Sequence, residues 1–219
     1  MFDGFEAFDI ATTATTIHGR WGGQGPPVLL LHGMPETHLM WHQVAPRLAE
    51  RFTVVATDLR GFGDSGTPPS TPDHAPYSMR EIAIDQVEVM HTLGYDQFSV
   101  VGHDRGARCA YRMALDHPGA VTRLAVLDII PTGEAFRRAD SEVPDAFPAD
   151  VCAAYIAKLS APDTIHAICE EYRAAATLDC QHDEADRGKR RIACSVRAGH
   201  FLPEEAPDQT TRHLLEFLA

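Results

Sequence analysis

The sequence lacks any long apolar segment. No run approaches the ~18 consecutive apolar residues that cross a bilayer, which predicts no transmembrane helix. Positive charge is also scarce, since 19 Lys and Arg against 31 Asp and Glu give a formal net charge of −12. This balance argues against a nucleic-acid partner or an anionic membrane surface. The first residues show no basic start followed by an apolar core, so we predict no signal peptide and a cytoplasmic protein.

Cysteine pairs and nucleotide motifs are missing as well. The five cysteines are odd in number, show no C-x-x-C, and are expected to be reduced thiols that pack as small apolar residues: Cys109, Cys152, Cys169, Cys180 and Cys194. The glycine-rich stretch from Asp58 to Gly66 lacks the Gly-Lys-Ser/Thr ending of a phosphate loop. These absences leave an ordinary globular chain with no nucleotide signature.

The pattern of apolar runs predicts an α/β fold with a mostly parallel sheet. Runs such as Val28–Leu31 read as strands covered on both faces, and helical patterns alternate with them. Helices are expected over Trp41–Glu50, from a capping box at Ser78, and near 150–160, 162–177 and 207–218; Gln181–Arg191 reads as solvated. We expect residues 1–132 to form the first part of a core, 133–180 a helical cap, and 181–219 the rest of the core.

The sharpest motif is Gly102-His103-Asp104-Arg105-Gly106. An apolar run precedes it, and an amphipathic helix pattern follows at once, which is the layout of a nucleophile elbow. Asp104 would then be a carboxylate nucleophile that displaces a leaving group from carbon and forms an ester. The alternative is an ordinary Asp that caps the following helix.

Two further residues complete a candidate catalytic triad. Asp128 ends a strand-like run and His200 lies in a late loop, so nucleophile, acid and base follow the order Asp104, Asp128, His200. His200 would activate water while Asp128 orients its ring. The backbone N–H near Met34, in a Gly-Pro loop after a strand, is a candidate for half of an oxyanion hole. Plain turn residues are the alternative for Asp128 and for the Met34 loop, and an ordinary loop histidine is the alternative for His200.

Two arginines follow the nucleophile by one and four residues. One helical turn can aim Arg105 and Arg108 at the same pocket, and the planar guanidinium binds carboxylates in a bidentate manner. A small acid held there would place its α-carbon over Asp104. The alternative is that both arginines are surface residues on an exposed helix face.

These residues resemble the haloacetate dehalogenases, in particular the fluoroacetate dehalogenases, of the α/β-hydrolase superfamily. The similarity rests on the elbow through Arg108, and it continues in Leu127–Thr132, Cys169–Ala174 and Gly199–Glu205. It implies an α/β-hydrolase fold with a helical cap and hydrolysis of a small 2-haloacid to the 2-hydroxy acid. Asp104 would be the nucleophile, Met34 and Arg105 would form the oxyanion hole, and Tyr172 would hydrogen-bond the halide. The family needs no metal or organic cofactor, and its members are often homodimers.

The chain departs from the family in two places. The cap after Gly133 is short, without the family's His-Trp halide pair. The five residues Ser195–Gly199 cannot supply the strand, helix and further strand that the family has there before its catalytic His. Genuine deletion is one explanation. We favour the other explanation, that the protein has further segments near Asp140–Ser141 and Cys194–Ser195 which this sequence omits. An epoxide hydrolase using Tyr172, with Tyr155 as a weak second, and a non-catalytic small-acid binding protein remain as alternatives.

Overall fold

A single mostly parallel sheet organises the chain. The computed structural model describes residues 1–129, 149–186, 189–190, 192, 194–199, 203 and 206–219. Within these ranges the strand order is β1-β2-β4-β3-β5-β6-β7. The strands are β1 (Glu6–Ala11), β2 (Thr16–Gly22), β3 (Pro27–Leu31), β4 (Thr53–Thr57), β5 (Phe98–His103), β6 (Val121–Leu127) and β7 (Ser195–Gly199). Only the pairings of β2 with β1 and β4 are antiparallel in the described sheet. The predicted fold class is confirmed.

Helices cover both faces of this sheet. They are α1 (Ala45–Leu48), α2 (Met79–Thr92), α3 (Asp104–Asp116), α4 (Ala149–Leu159), α5 (Pro162–Ala174), α6 (Cys180–Asp186) and α7 (Pro207–Leu218), with 3₁₀ turns at His38–Trp41 and Ala75–Tyr77. In β3, Leu29 and Leu31 join the core cluster of α2 and α3, while Val28 and Leu30 join that of α1 and α7. Each fully buried leucine contributes about 1.5–3 kcal/mol. Among the described residues no helix is long and apolar enough to cross a membrane.

The helix boundaries follow local signals in the sequence. The Ser78 hydroxyl accepts a hydrogen bond from the Glu81 amide at 3.4 Å, as an N-cap does at the start of α2. Gly94, at φ +91°, follows the end of that helix. Helix α3 ends at Asp116, two residues before Pro118. These predicted boundaries are confirmed.

One predicted helix is wrong, and one predicted solvated stretch is partly helical. The helix expected over Trp41–Glu50 is reduced to the four residues of α1, because Pro46 lacks an N–H and is tolerated only in the first helical turn. The stretch Gln181–Arg191 was expected to be solvated, and none of its described residues is buried, although its first part is helical as α6. Two of its side chains also bind α3. Tyr111 donates to Asp183 at 2.7 Å and Arg112 to Asp186 at 2.6 Å.

The cysteines agree with their prediction only in part. Cys109, Cys169, Cys180 and Cys194 are free thiols. Cys109 is fully buried in the core, as expected, but Cys169 and Cys180 are exposed. Both lie on the solvent-facing side of the α5–α6 segment. Their position around the helix, and not their apolar character, determines that they are exposed.

The segment of α4 to α6 packs on the core next to the elbow. Helix α5 places Ala167 so close to Gly61 that a Cβ at Gly61 would lie 2.2 Å from the Ala167 Cβ. Asp179, in the π-helical turn Ala175–Asp179 that joins α5 to α6, accepts a hydrogen bond from the Met79 amide at 2.9 Å. The predicted cap range of 133–180 lies partly outside the described residues. The suspected join at Asp140–Ser141 lies wholly outside them.

Candidate active site

The elbow places Asp104 at a sharp turn between β5 and α3. Asp104 adopts φ +43°, a left-handed conformation that is rare for residues other than glycine and that clusters at functional sites. Two close backbone contacts enforce the turn. A Cβ on Gly102 would lie 2.3 Å from the Gly106 carbonyl oxygen, and one on Gly106 would lie 2.5 Å from the Leu31 carbonyl oxygen. The Gly-x-Asp-x-Gly spacing is therefore required by close packing of helix on strand.

The loop after β3 meets the Asp104 carboxylate. The Met34 amide donates a hydrogen bond to Asp104 Oδ2 at 3.2 Å. Gly33 makes this approach feasible, since a Cβ there would lie 2.8 Å from the Asp104 Cβ. A backbone N–H aimed at the oxygen of a nucleophilic carboxylate can also stabilise negative charge that develops on that oxygen.

Arg105 is buried beneath helix α5. Its Nε donates to Glu171 Oε1, its Nη2 donates to the Glu171 carbonyl oxygen at 3.4 Å, and its guanidinium carbon lies 5.0 Å from the centroid of the Tyr172 ring. Burial opposes the charge, but the Glu171 carboxylate outweighs it and raises the pKa of Arg105. The sequence predicted a cation beside the nucleophile, but it gave no sign of this Glu171 partner.

Arg108 and Tyr172 share the same electrostatic environment. Arg108 is half-buried one turn further along α3, and Tyr172 is 37 % exposed on α5. Burial raises the pKa of Tyr172, the charges of Arg105 and Arg108 oppose that rise, and the charge of Asp104 adds to it. The structure thus brings the predicted nucleophile, both arginines and the tyrosine into one cluster.

Asp128 lies at the end of β6, beside a histidine that was not singled out in the sequence. Asp128 also has a left-handed backbone, at φ +49°, and its Oδ2 lies 3.9 Å from Nε2 of the buried His103. On its other side, His103 Nδ1 contacts Glu36 Oε2 at 3.1 Å. Burial disfavours the imidazolium, but the Glu36 charge and hydrogen bond prevail and raise the pKa of His103.

This Glu36–His103 pair links the Met34 loop to the elbow. The pKa of Glu36 is lowered, because the nearby His103 outweighs the effect of burial. Glu36 Oε2 also accepts the Gly33 amide at 3.1 Å, so the carboxylate holds the loop that carries the Met34 N–H. The sequence could have indicated this pair, because His103 directly precedes the nucleophile and Glu36 lies two residues after Met34.

His200 lies outside the described residues, but the strand before it is described. Strand β7 pairs with β6 in parallel, and Gly199 stands opposite Leu127. Within the described sheet β7 therefore lies directly beside β6, and the omission of segments near Cys194–Ser195 stays a prediction. In the part of the chain that the structure covers, β7 is the last strand on that side of the sheet.

Other surfaces of the molecule carry different groups. A cavity of about 770 Å³ is lined by a proline-rich loop and shares none of the residues of the Asp104 cluster. Among the described residues, one group of three side chains has the spacing of metal ligands: His18, His38 and Asp58. This group is separate from the Asp104 cluster. The expectation that the chain needs no cofactor remains a prediction.

Comparison with known proteins agrees with the geometry. A fluoroacetate dehalogenase of Burkholderia sp is 37 % identical over 291 aligned positions, which cover 100 % of this chain and 95 % of that protein. The aligned length exceeds the 219 residues of this chain, so the relative contains residues without a counterpart here. A soluble epoxide hydrolase of Corynebacterium sp. (strain C12) is 44 % identical over 115 residues, which cover 52 % of this chain and 38 % of that enzyme.

A solved structure and a family model extend this result. A protein from Nostoc sp PCC 7120, provisionally described as an α/β hydrolase, matches with a TM-score of 0.92 and 42 % identity over 100 % of this chain and 99 % of its own. The model of the α/β-hydrolase fold matches residues 26–168, which include the Met34 loop, the elbow and Asp128. The chain, with its Asp104 elbow on a mostly parallel sheet, therefore belongs to the α/β-hydrolase family.

Proposed function

We propose that this α/β hydrolase cleaves the carbon–halogen bond of a small 2-haloacid such as fluoroacetate or chloroacetate. The observation that carries the proposal is the pairing of a carboxylate at the elbow with a buried arginine as the next residue. Asp104 supplies a nucleophile, and Arg105 supplies a fixed positive charge that suits an acid substrate. The similarity to a fluoroacetate dehalogenase over the whole chain supports the same reaction.

The first step is displacement at the α-carbon. An Asp104 carboxylate oxygen attacks the carbon, a C–O bond forms as the carbon–halogen bond breaks, and the halide leaves with the electron pair. The carbon is inverted and an ester links it to Asp104. Tyr172, exposed on α5 and next to the Arg105 guanidinium, is the proposed hydrogen-bond donor to the halide.

The second step is hydrolysis of this ester. His200 takes a proton from water, and the resulting hydroxide attacks the carbonyl carbon of Asp104. The bond between that carbon and the product oxygen then breaks, the leaving alkoxide takes the proton of the new carboxyl group and departs as the 2-hydroxy acid, and the Asp104 carboxylate is restored while the His200 proton passes to solvent. The register of β7 supports this assignment. Leu127 and Gly199 stand opposite each other on β6 and β7, and Asp128 and His200 are the next residues along each chain segment. The amide of Met34, with that of Arg105, is the proposed oxyanion hole.

Recognition of the substrate carboxylate involves the charges of Arg105, Arg108 and Glu171. Arg105 and Arg108 are the proposed ligands, and residues 133–180, whose described part carries Glu171 and Tyr172, are the proposed cap. The contacts of Arg105 with Glu171 use Nε and Nη2, and a guanidinium has more N–H donors than these. A substrate carboxylate can therefore share Arg105 with Glu171 and place its α-carbon over Asp104.

The test is halide release from fluoroacetate and from chloroacetate by the purified chain. We expect release by the wild type and its loss in Asp104→Asn, while Asp96→Asn, the same change at a residue 96 % exposed, retains activity. Asn is among the residues that best tolerate the left-handed backbone at this position, so the variant is expected to fold. A single turnover in ¹⁸O-labelled water should place the label in the Asp104 carboxylate.

The second candidate function is epoxide hydrolysis. A soluble epoxide hydrolase is 44 % identical over 52 % of this chain, and Tyr172 is the proposed donor that protonates an opening ring. Turnover of an epoxide such as styrene oxide, without halide release from either acid, would favour this function. Saturable binding of acetate or glycolate by a folded protein that turns over none of these compounds would instead indicate a non-catalytic acid-binding protein.

A further inference from the structure

A pair of histidines lies on the sheet away from the elbow. His18 is on β2, His38 opens the 3₁₀ turn after the Met34 loop, and Asp58 directly follows β4. The two imidazole centroids are 5.4 Å apart, with ring planes at 57°. One potential ligand atom from each of the three residues lies within 4.8 Å of the others. We call His18, His38 and Asp58 the two-histidine cluster.

Each imidazole of this cluster is held by a carboxylate at Nδ1. His18 Nδ1 contacts Asp9 Oδ1 at 2.8 Å, and His38 Nδ1 contacts Asp58 Oδ1 at 2.8 Å. Asp58 Oδ1 also accepts the His38 backbone amide at 2.7 Å. When Nδ1 donates to a carboxylate, Nε2 of the neutral ring carries the lone pair. Histidines that bind metals commonly have this arrangement.

The Nε2 atom of His38 is the independent sign of a ligand. The His38 side chain is 6 % exposed, and its Nε2 is buried with no hydrogen-bond partner among the described residues. Buried polar atoms are nearly always satisfied, so an orphan nitrogen requires a water, an ion or another explanation. The His18 side chain is 15 % exposed, which gives the cluster access to solvent.

We propose that the two-histidine cluster binds one divalent transition-metal ion through imidazole nitrogens of His18 and His38. Imidazole donors suit Zn²⁺, Ni²⁺ and Cu²⁺ rather than Mg²⁺ or Ca²⁺, which prefer oxygen ligands. The remaining coordination positions are filled by water, and Asp9 and Asp58 orient the rings. Two nitrogen ligands on a tetrahedral ion stand ~3.3 Å apart, given zinc–nitrogen bonds of ~2.0–2.1 Å, and the two imidazole centroids lie 5.4 Å apart.

Charge around the cluster sets an upper limit on affinity. The carboxylates of Asp9 and Asp58 favour a cation. Arg20 is a positive charge nearby and opposes a cation. Its guanidinium carbon lies 6.0 Å from the Phe2 ring, and the Phe2 ring lies 5.6 Å from the His38 ring. With two protein ligands rather than the four of a structural zinc site, we expect dissociation constants on the order of micromolar.

The test uses the metal ions alone, with the full chain freed of metal by a chelator. Calorimetric titration with Zn²⁺ and the visible absorption of added Co²⁺ should each report one equivalent bound, and Mg²⁺ should give no heat. His18→Gln and His38→Gln should each abolish detectable binding, because each removes one of the two protein ligands. His91→Gln is the matched control, since His91 is 49 % exposed at the end of α2, and binding should be unchanged.

Two outcomes would overturn the proposal. One is the absence of Zn²⁺ and Co²⁺ binding by the folded wild type, which would leave water as the partner of His38 Nε2. The other is binding that survives in His18→Gln, which would locate the ion at other histidines. His18 is on a partly exposed face of β2, so His18→Gln is expected to fold and can test the proposal even if His38→Gln does not fold. Neither outcome depends on the Asp104 reaction.

Discussion

The buried ion pair between Arg105 and Glu171 gives the most direct test of how the elbow is attached to α5. The change is Glu171→Gln, which removes the carboxylate and keeps the shape of the side chain. The Arg105 side chain is 5 % exposed and that of Glu171 2 % exposed, so solvent cannot replace the lost charge. Removing one partner of a buried pair costs about 3–5 kcal/mol, and we expect the free energy of unfolding to fall by that amount.

The measurement is urea denaturation at pH 7, with the free energy of unfolding taken from the midpoint and slope. The matched control is Asp64→Asn, which breaks the pair of Asp64 with Lys158 between the same two parts of the chain. Those side chains are 54 % and 40 % exposed, and we expect a loss of about 0–1 kcal/mol. A loss below about 1 kcal/mol in Glu171→Gln, similar to the control, would contradict the reasoning.

The same variant connects stability to the proposed substrate site. Acetate has the carboxylate of the substrate but no halogen, so it can bind without reacting. In Glu171→Gln it should restore part of the lost stability by pairing with the buried guanidinium, by about 2.7 kcal/mol at 100 times its dissociation constant. Restoration in this variant that is absent when Arg105 is also replaced by Met would identify Arg105 as the acetate ligand.

Two other predictions concern the elbow and its neighbours. Gly106→Ala should lower the free energy of unfolding by about 1–3 kcal/mol, because its Cβ would lie 2.5 Å from the Leu31 carbonyl oxygen; Gly119→Ala, with no atom within 4 Å, should change little in the same urea assay. Glu36→Gln should destabilise most between pH 4.5 and 6.5. The raised pKa of His103 gives stability that is full below its ordinary 6.5 and is lost as the pH rises through the raised value. The lowered pKa of Glu36 gives stability that is present above its ordinary 4.5 and lost on acidification. Denaturation at pH 5.5 and pH 9 should show a loss of about 1.5–3 kcal/mol that shrinks at the higher pH, and an equal loss at both would contradict the coupling.

Local patterns in the sequence were sufficient for most of the sheet and for the elbow. The run Val28–Leu31 is apolar at every position because both faces of β3 are covered, and this is visible without any tertiary information. The elbow was predictable for a similar reason. The motif of two glycines around an acid, between an apolar run and a helical pattern, is visible in the sequence, although the contact of Gly106 with Leu31 that explains the second glycine is not.

Contacts between distant segments could not be predicted in this way. Glu171 lies 66 residues after Arg105, and no periodicity relates the two positions. The same applies to Glu36 and His103, which are 67 residues apart and meet only because β3 and β5 are neighbours in the sheet. The contacts of α6 with Tyr111 and Arg112 of α3 also join residues 72 and 74 positions apart, so the polar composition of α6 gave no sign of them.

The close packing around the elbow has a consequence for how the reaction type of this fold can change. The backbone at Asp104 is held by contacts of its neighbours, Gly102 and Gly106, and by the ends of two strands. The side chain at position 104 itself takes no part in that packing beyond its contact with the Met34 loop. The side chain at position 104 and the packing around the turn are thus controlled by different residues. Exchange of the side chain at 104 changes the nucleophile, within the limit that few side chains adopt the left-handed backbone found there, whereas exchange of a neighbouring glycine disturbs the scaffold that positions it.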